Sequence, residues 1–181
     1  MYSFSADYMR RGFVIFLTML LLWGVVSELN HSITRWHLFL WTAGLFVTFS
    51  ALTLPLGVGV LTTLLGGLLC DASAPVGFGA HALLFSAAHV VIFNLRDRVP
   101  RDETVARVII ALLTNLALFL VFSFYQVSRL PSPASAWPRI IVDLMCSQIF
   151  IAVVAPWFFA LQASALELAR PLTSYHGRNE E

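Results

Sequence analysis

Asp71 closes a long apolar run, Leu38 to Cys70, and is followed by Ala72-Ser73-Ala74-Pro75. An acid at the end of an apolar helix is costly unless it meets water, a backbone donor or a partner. It either bonds the amides of its own turn or serves as a functional charge. Aspartate followed by small residues and proline favours the turn role. On that reading Asp71→Asn is expected to be nearly silent, because an amide oxygen accepts the same bonds. His81 and His89, eight positions apart, share a helix face but stand about 12 Å apart along it, too far to hold one metal jointly. Each reads as a hydrogen-bonded packing residue. Asn115 and Gln148 are expected to bond across helices, at about 0.6 kcal/mol per contact. Asp143 one turn from Arg139, and Glu167 three residues before Arg170, read as helix-end ion pairs.

Several chemistries find no support. All 11 basic residues are arginine. A Schiff-base lysine, a Walker-type phosphate lysine and a lysine-dependent lipid-phosphatase motif are therefore missing together. There is no Gly-x-Ser-x-Gly, no His-Glu-x-x-His, no glutamate pair on a helix and no aspartate-rich motif for a metal-bound diphosphate. Glu180 and Glu181 adjoin only in the terminal tail. Cys70 and Cys146 lie in apolar runs without metal-ligand spacing and read as small buried hydrophobes. No catalytic set, metal or cofactor is expected, and a net charge of +1 gives no footprint for nucleic acid.

The elements that position these residues belong to a membrane. The 181 residues are 59% hydrophobic and 12% charged, against about 45–50% and about 25% in soluble domains. Gly12 to Ser27 could be the core of a signal peptide, but no small-residue cleavage site follows, and it reads as a retained first helix. One helix over Leu38 to Cys70 would be about 50 Å long, against a hydrocarbon core of about 30 Å. Pro55, with Gly57 and Gly59 after it, is the natural break. The expected helices are then 12–27, 38–54, 56–69, 76–94, 105–127 and 140–168. A turn over 71–75 joins the third and fourth, Pro156 kinks the last, and the tail 170–181 is polar and mobile. Parity supports the break, because Arg10 and Arg11 share a side with Arg96, Arg98, Arg101 and Arg107 only if an even number of spans separates them. Arg96, Arg98 and Arg101 then lie in a cytoplasmic loop and both termini are cytoplasmic. Trp36, Trp41, Trp137 and Tyr125 are placed as an interfacial aromatic belt. The expected fold class is an all-α polytopic membrane protein, a single domain of six transmembrane helices with short loops.

Gly59, Thr63 and Gly67 recur every four residues, a small face that lets another helix approach closely. Gly67, Leu68, Asp71, Gly77 and His81-Ala82-Leu83 together resemble the motif of MreD, the rod shape-determining membrane protein family of bacteria. The resemblance covers roughly Leu38 to Val127. It implies a compact six-helix protein of the inner membrane, a non-enzymatic scaffold of the peptidoglycan elongation machinery (elongasome). Its implied partners are the bilayer, an MreC-like bitopic protein, MreB, RodA and a penicillin-binding protein. The rival is a substrate-binding S component of a small-solute (vitamin) transporter, also a six-helix fold. Such components carry an Ala-x-x-x-Ala-type face on the first helix, and Gly12 to Ser27 has no alanine.

Overall fold

The computed structural model describes residues 2–73, 77–98, 103–130 and 133–169, which form an all-helical bundle. Its six α-helices are α1 (Tyr2–Ile33), α2 (Ala43–Thr53), α3 (Leu56–Ser73), α4 (Ala80–Leu95), α5 (Thr104–Val127) and α6 (Trp137–Leu168). Three segments are long and apolar enough to cross a membrane: Ala6–Trp36, Thr104–Val127 and Ala134–Leu168.

α1 extends well beyond the expected 12–27. At its start Asp7 pairs with Arg10 at 2.8 Å and Arg11 at 2.9 Å, one helical turn away, so the charges support the helix instead of ending it. At its far end α1 carries Asn30 to the segment that follows. α6 begins at Trp137, three residues earlier than expected, because Pro138 occupies its first turn, where no amide donor is needed. It continues unbroken through Pro156.

The largest departure is in the expected helix 38–54. Residues 38–42 form no regular structure, with Thr42 at φ −124° and ψ 24°, and only Ala43–Thr53 is helical. The irregular stretch finds side-chain partners for its backbone on both flanks. Asn30 of α1 accepts from the Leu40 N–H at 2.8 Å and donates to the Leu40 carbonyl at 3.0 Å. On α6, Asp143 accepts from the Phe39 N–H at 3.0 Å and Ser147 Oγ from the Trp41 N–H at 2.9 Å. The spacing matches: Asp143 and Ser147 are one turn apart, about 6 Å of helix, and Phe39 and Trp41 two residues apart, at most about 6.6 Å. Asp143 was expected simply to pair with Arg139; that contact is 3.9 Å long, and the carboxylate serves the Phe39 amide. Trp41, expected in an interfacial belt, is drawn inward against His81 and Phe122, each ring centroid 5.0 Å away.

α2 is the centre of the bundle. Residues 43–52 are all buried, and the helix contacts each of the other helices. Its apolar side chains Leu45, Phe46, Phe49 and Leu52 pack with Met19, Phe85, Ile151 and Phe159. Gly44 lies so close to α5 that an added Cβ would meet the backbone of Ala111 and Asn115. Asn115 Oδ1 accepts the Gly44 N–H at 3.2 Å, at the first turn of α2, where that donor has no partner within the helix. At the other end the Leu54 carbonyl accepts from Arg96 Nη1 at 3.1 Å, a cation at a helix C-terminus. The chain reverses there at Pro55. Gly12 of α1 faces Val58 and Thr62 at the start of α3, so Arg10, Arg11, the Pro55 turn and Arg96 gather at one end of the bundle.

Asn30 serves Leu40 as donor and acceptor at once, so Asn30→Asp, which keeps its shape, would set an acceptor against the Leu40 carbonyl. The variant should lose about 1–3 kcal/mol. Thermal unfolding of the purified protein in mild detergent measures this, and an Asn30→Asp protein as stable as the parent would contradict the role given to Asn30.

Candidate functional site

The residues that carried the sequence motif meet where α3 hands over to α4. α3 was expected to end at 69 and α4 to begin at 76; instead α3 runs to Ser73 and α4 starts at Ala80. Asp71 is therefore in the last turn of α3, outside any turn of its own, and its carboxylate reaches the first turn of α4. Oδ1 accepts from the backbone N–H of His81 at 3.0 Å and from its ring Nδ1 at 2.6 Å. Oδ2 accepts from the N–H of Gly79 at 3.0 Å and of Ala82 at 3.2 Å. An acid on one helix thus caps the next, satisfying donors that have no partner inside α4 and meeting the positive end of its dipole. Gly79 reaches the required geometry with φ +95°, which favours glycine. Gly77 accepts the Ala80 N–H at 3.1 Å and completes the turn.

The small face of α3 makes this reach possible. A Cβ at Gly67 would collide with the backbone of His81 and Ala82, and one at Gly59 with the ring of His89. Thr63, fully buried between them, turns its hydroxyl back to the Gly59 carbonyl at 3.0 Å. α4 consequently lies directly on α3, and the two histidines engage different partners. His89 Nδ1 meets Ser50 Oγ of α2 at 3.1 Å. His81 is fixed by Asp71 and stacked on Phe122 at 4.3 Å. Since a carboxylate oxygen only accepts, Nδ1 of His81 carries its proton toward Asp71.

His81 also lines a cavity of about 210 Å³ beside the irregular segment. Aromatic walls come from Trp23, Phe39, Trp41, Phe46 and Phe85, with Asn30, Thr42 and Cys70 at its polar points. Elsewhere, Gln148 Nε2 donates to the Leu112 carbonyl at 3.1 Å, tying α6 to α5. Arg96, placed by the sequence in a loop with Arg98 and Arg101, lies half-buried over the Phe93 ring at 3.7 Å; Arg98 is exposed. Arg101, Arg170 and the tail 170–181 lie outside the described residues. Among the described residues no group of three or more His, Cys, Asp or Glu comes together as a metal site.

Sequence reasoning missed Asn30, Ser50, Ser147 and Gln162. Ser50 is the partner of His89, and Gln162 Nε2 donates to Thr18 Oγ1 at 3.0 Å, joining α6 to α1. Asn30 stood in a polar stretch read as a loop; the one available signal was a four-residue Asp143 to Ser147 spacing on an apolar helix. Comparison of the chain with protein-family models, curated proteins and solved structures returned no match.

The geometry changes what Asp71→Asn should do. Both carboxylate oxygens accept two bonds each, whereas asparagine offers one oxygen and turns an –NH₂ toward two donors. Each donor left unpaired costs about 1–3 kcal/mol, so Asp71→Asn should be no better tolerated than Asp71→Ala. Membrane abundance and thermal midpoint of the two variants test this; parental values for Asp71→Asn would mean that its carboxylate is not needed at the joint.

Proposed function

We propose that this chain is a non-enzymatic, multi-pass scaffold of the bacterial inner membrane. In this reading it works with an MreC-like bitopic protein, MreB, RodA and a penicillin-binding protein in cell-wall elongation, and so helps to maintain cell shape. The observation that carries the reading is convergence. Gly67, Asp71, Gly77, His81 and Ala82, on which the MreD resemblance rests, all act in the one joint between α3 and α4. Outward-facing apolar residues of α1 (Phe13, Leu17, Leu21) and α6 (Ile149, Val153, Trp157) suit lipid and the helix of a bitopic partner.

The lengths support six crossings. Residues 38–42, at no more than about 3.3 Å each, and the 11 residues of α2, at about 1.5 Å each, reach at most about 33 Å joined end to end. That matches a hydrocarbon core of about 30 Å as a broken crossing. Irregular backbone at that depth is tolerated because it is buried in protein and paired. α3 and α4, of 18 and 16 residues, are about 27 and 24 Å long and cross with little tilt. The gathering of Arg10, Arg11 and Arg96 at one end supports an even number of crossings between them and cytoplasmic termini.

Two experiments test the proposal. In a background lacking Cys70 and Cys146, an impermeant thiol reagent on intact cells should label Phe78→Cys and Ser128→Cys but spare Thr104→Cys. Labelling of Thr104→Cys with protection of the other two would reverse the topology. Copurification in mild detergent should recover an MreC-like bitopic protein, and depletion should round cells of a rod-shaped host. The cavity beside His81 is the feature that favours the transport alternative; unchanged shape with loss of uptake of one vitamin would establish it.

A further inference from the structure

We infer that the cavity beside His81 is a binding site for a neutral, planar heteroaromatic molecule bearing an N–H donor. The size comes first. A dry engineered cavity of about 150 Å³ holds benzene. The roughly 210 Å³ here, bounded by five aromatic side chains, suits a fused bicyclic ring better than a single one or a lipid tail.

Charge narrows the class. None of the residues described around the cavity is Asp, Glu, Lys or Arg, so a charged ligand would lose its hydration with no counter-ion to replace it. Hydrogen bonding narrows it further. Asn30 has both ends of its amide occupied by Leu40, which removes the most versatile polar group of the wall. Asp71 holds Nδ1–H of His81 at 2.6 Å, and in that tautomer Nε2 is an acceptor. A ligand N–H answers it. Asp71 is the positioning residue, fixing both the ring and its tautomer.

Access is from one side. Ser27 lines the cavity and is itself exposed, as is Phe39, so the mouth lies at the end of the bundle away from Arg10, Arg11 and Arg96. The inference does not depend on the scaffold reading: ligand binding is read on the purified chain alone, whereas partner recovery is read in cells.

The test uses the full chain in nanodiscs, titrated calorimetrically with benzimidazole, which carries an N–H donor, and with indene, which has nearly the same shape and none. Saturable binding of benzimidazole to a single site is expected, with indene weaker by about tenfold or more, the loss that follows when a polar group built to be paired is left unpaired. Ser27→Phe, at the exposed mouth and clear of the Asp71–His81 pair, should abolish binding while leaving the thermal midpoint unchanged. His81→Phe should weaken benzimidazole about tenfold yet leave indene unaffected. Failure of benzimidazole to saturate, equal binding of indene, or undiminished binding by Ser27→Phe would each overturn the site.

Discussion

A backbone amide shut away from water must find a partner in the protein; each failure costs several kcal/mol. Residues 38–42 give up helical bonding, and the rest of the bundle is arranged around replacing it. α1 has to continue far enough to bring Asn30 alongside Leu40. α6 has to present Asp143 and Ser147 on one face at the pitch of alternate residues of the segment. α5 has to approach α2 closely enough for Asn115 to accept the Gly44 amide, which is why position 44 has no room for a side chain. Residues from two helices thus hold one irregular segment, a third helix receives the first turn of α2, and that short helix is enclosed by the remainder.

The contact between α3 and α4 solves a related problem by a different route. Four-residue spacing of Gly59, Thr63 and Gly67 removes the side chains that would keep the helices apart. Close approach alone would bury the free amides at the start of α4; Asp71, one turn beyond Gly67, supplies their acceptor. Close packing and capping are therefore one device. A larger residue at Gly67 would displace the carboxylate from its donors as well as the two helices from each other. His81 inherits its orientation from this device, which is how a helix cap becomes part of a cavity wall.

Features set by covalent constraint or long apolar stretches were legible in the sequence. Proline at 55 breaks a run too long for one helix, the four-residue small face seats a neighbour, and α5 differs from its expected span by one residue. Features decided by distant partners were not. Nothing local forbids a helix over 38–42, since Leu, Phe and Trp there are compatible with one; the irregular form wins because Asn30 and two residues more than a hundred positions away offer better-placed bonds. The end of α3 was misjudged for a similar reason. Aspartate before small residues and proline signals a turn, but the amides it serves belong to the next helix. Trp41 followed its segment inward, against the usual preference of tryptophan for the interface.

The enclosure of α2 has a consequence for biogenesis. A helix buried along residues 43–52 has no face intended for lipid, and the acceptors for Phe39 and Trp41 lie 104 and 106 residues further along the chain. At about 5–20 residues per second, those acceptors leave the ribosome about 5–20 s after the segment they serve. During that interval the segment lacks those partners, and a continuous helix is the form that satisfies its own amides. The native break then forms only as the last helix arrives, so the final segment to be synthesised completes the centre of the molecule.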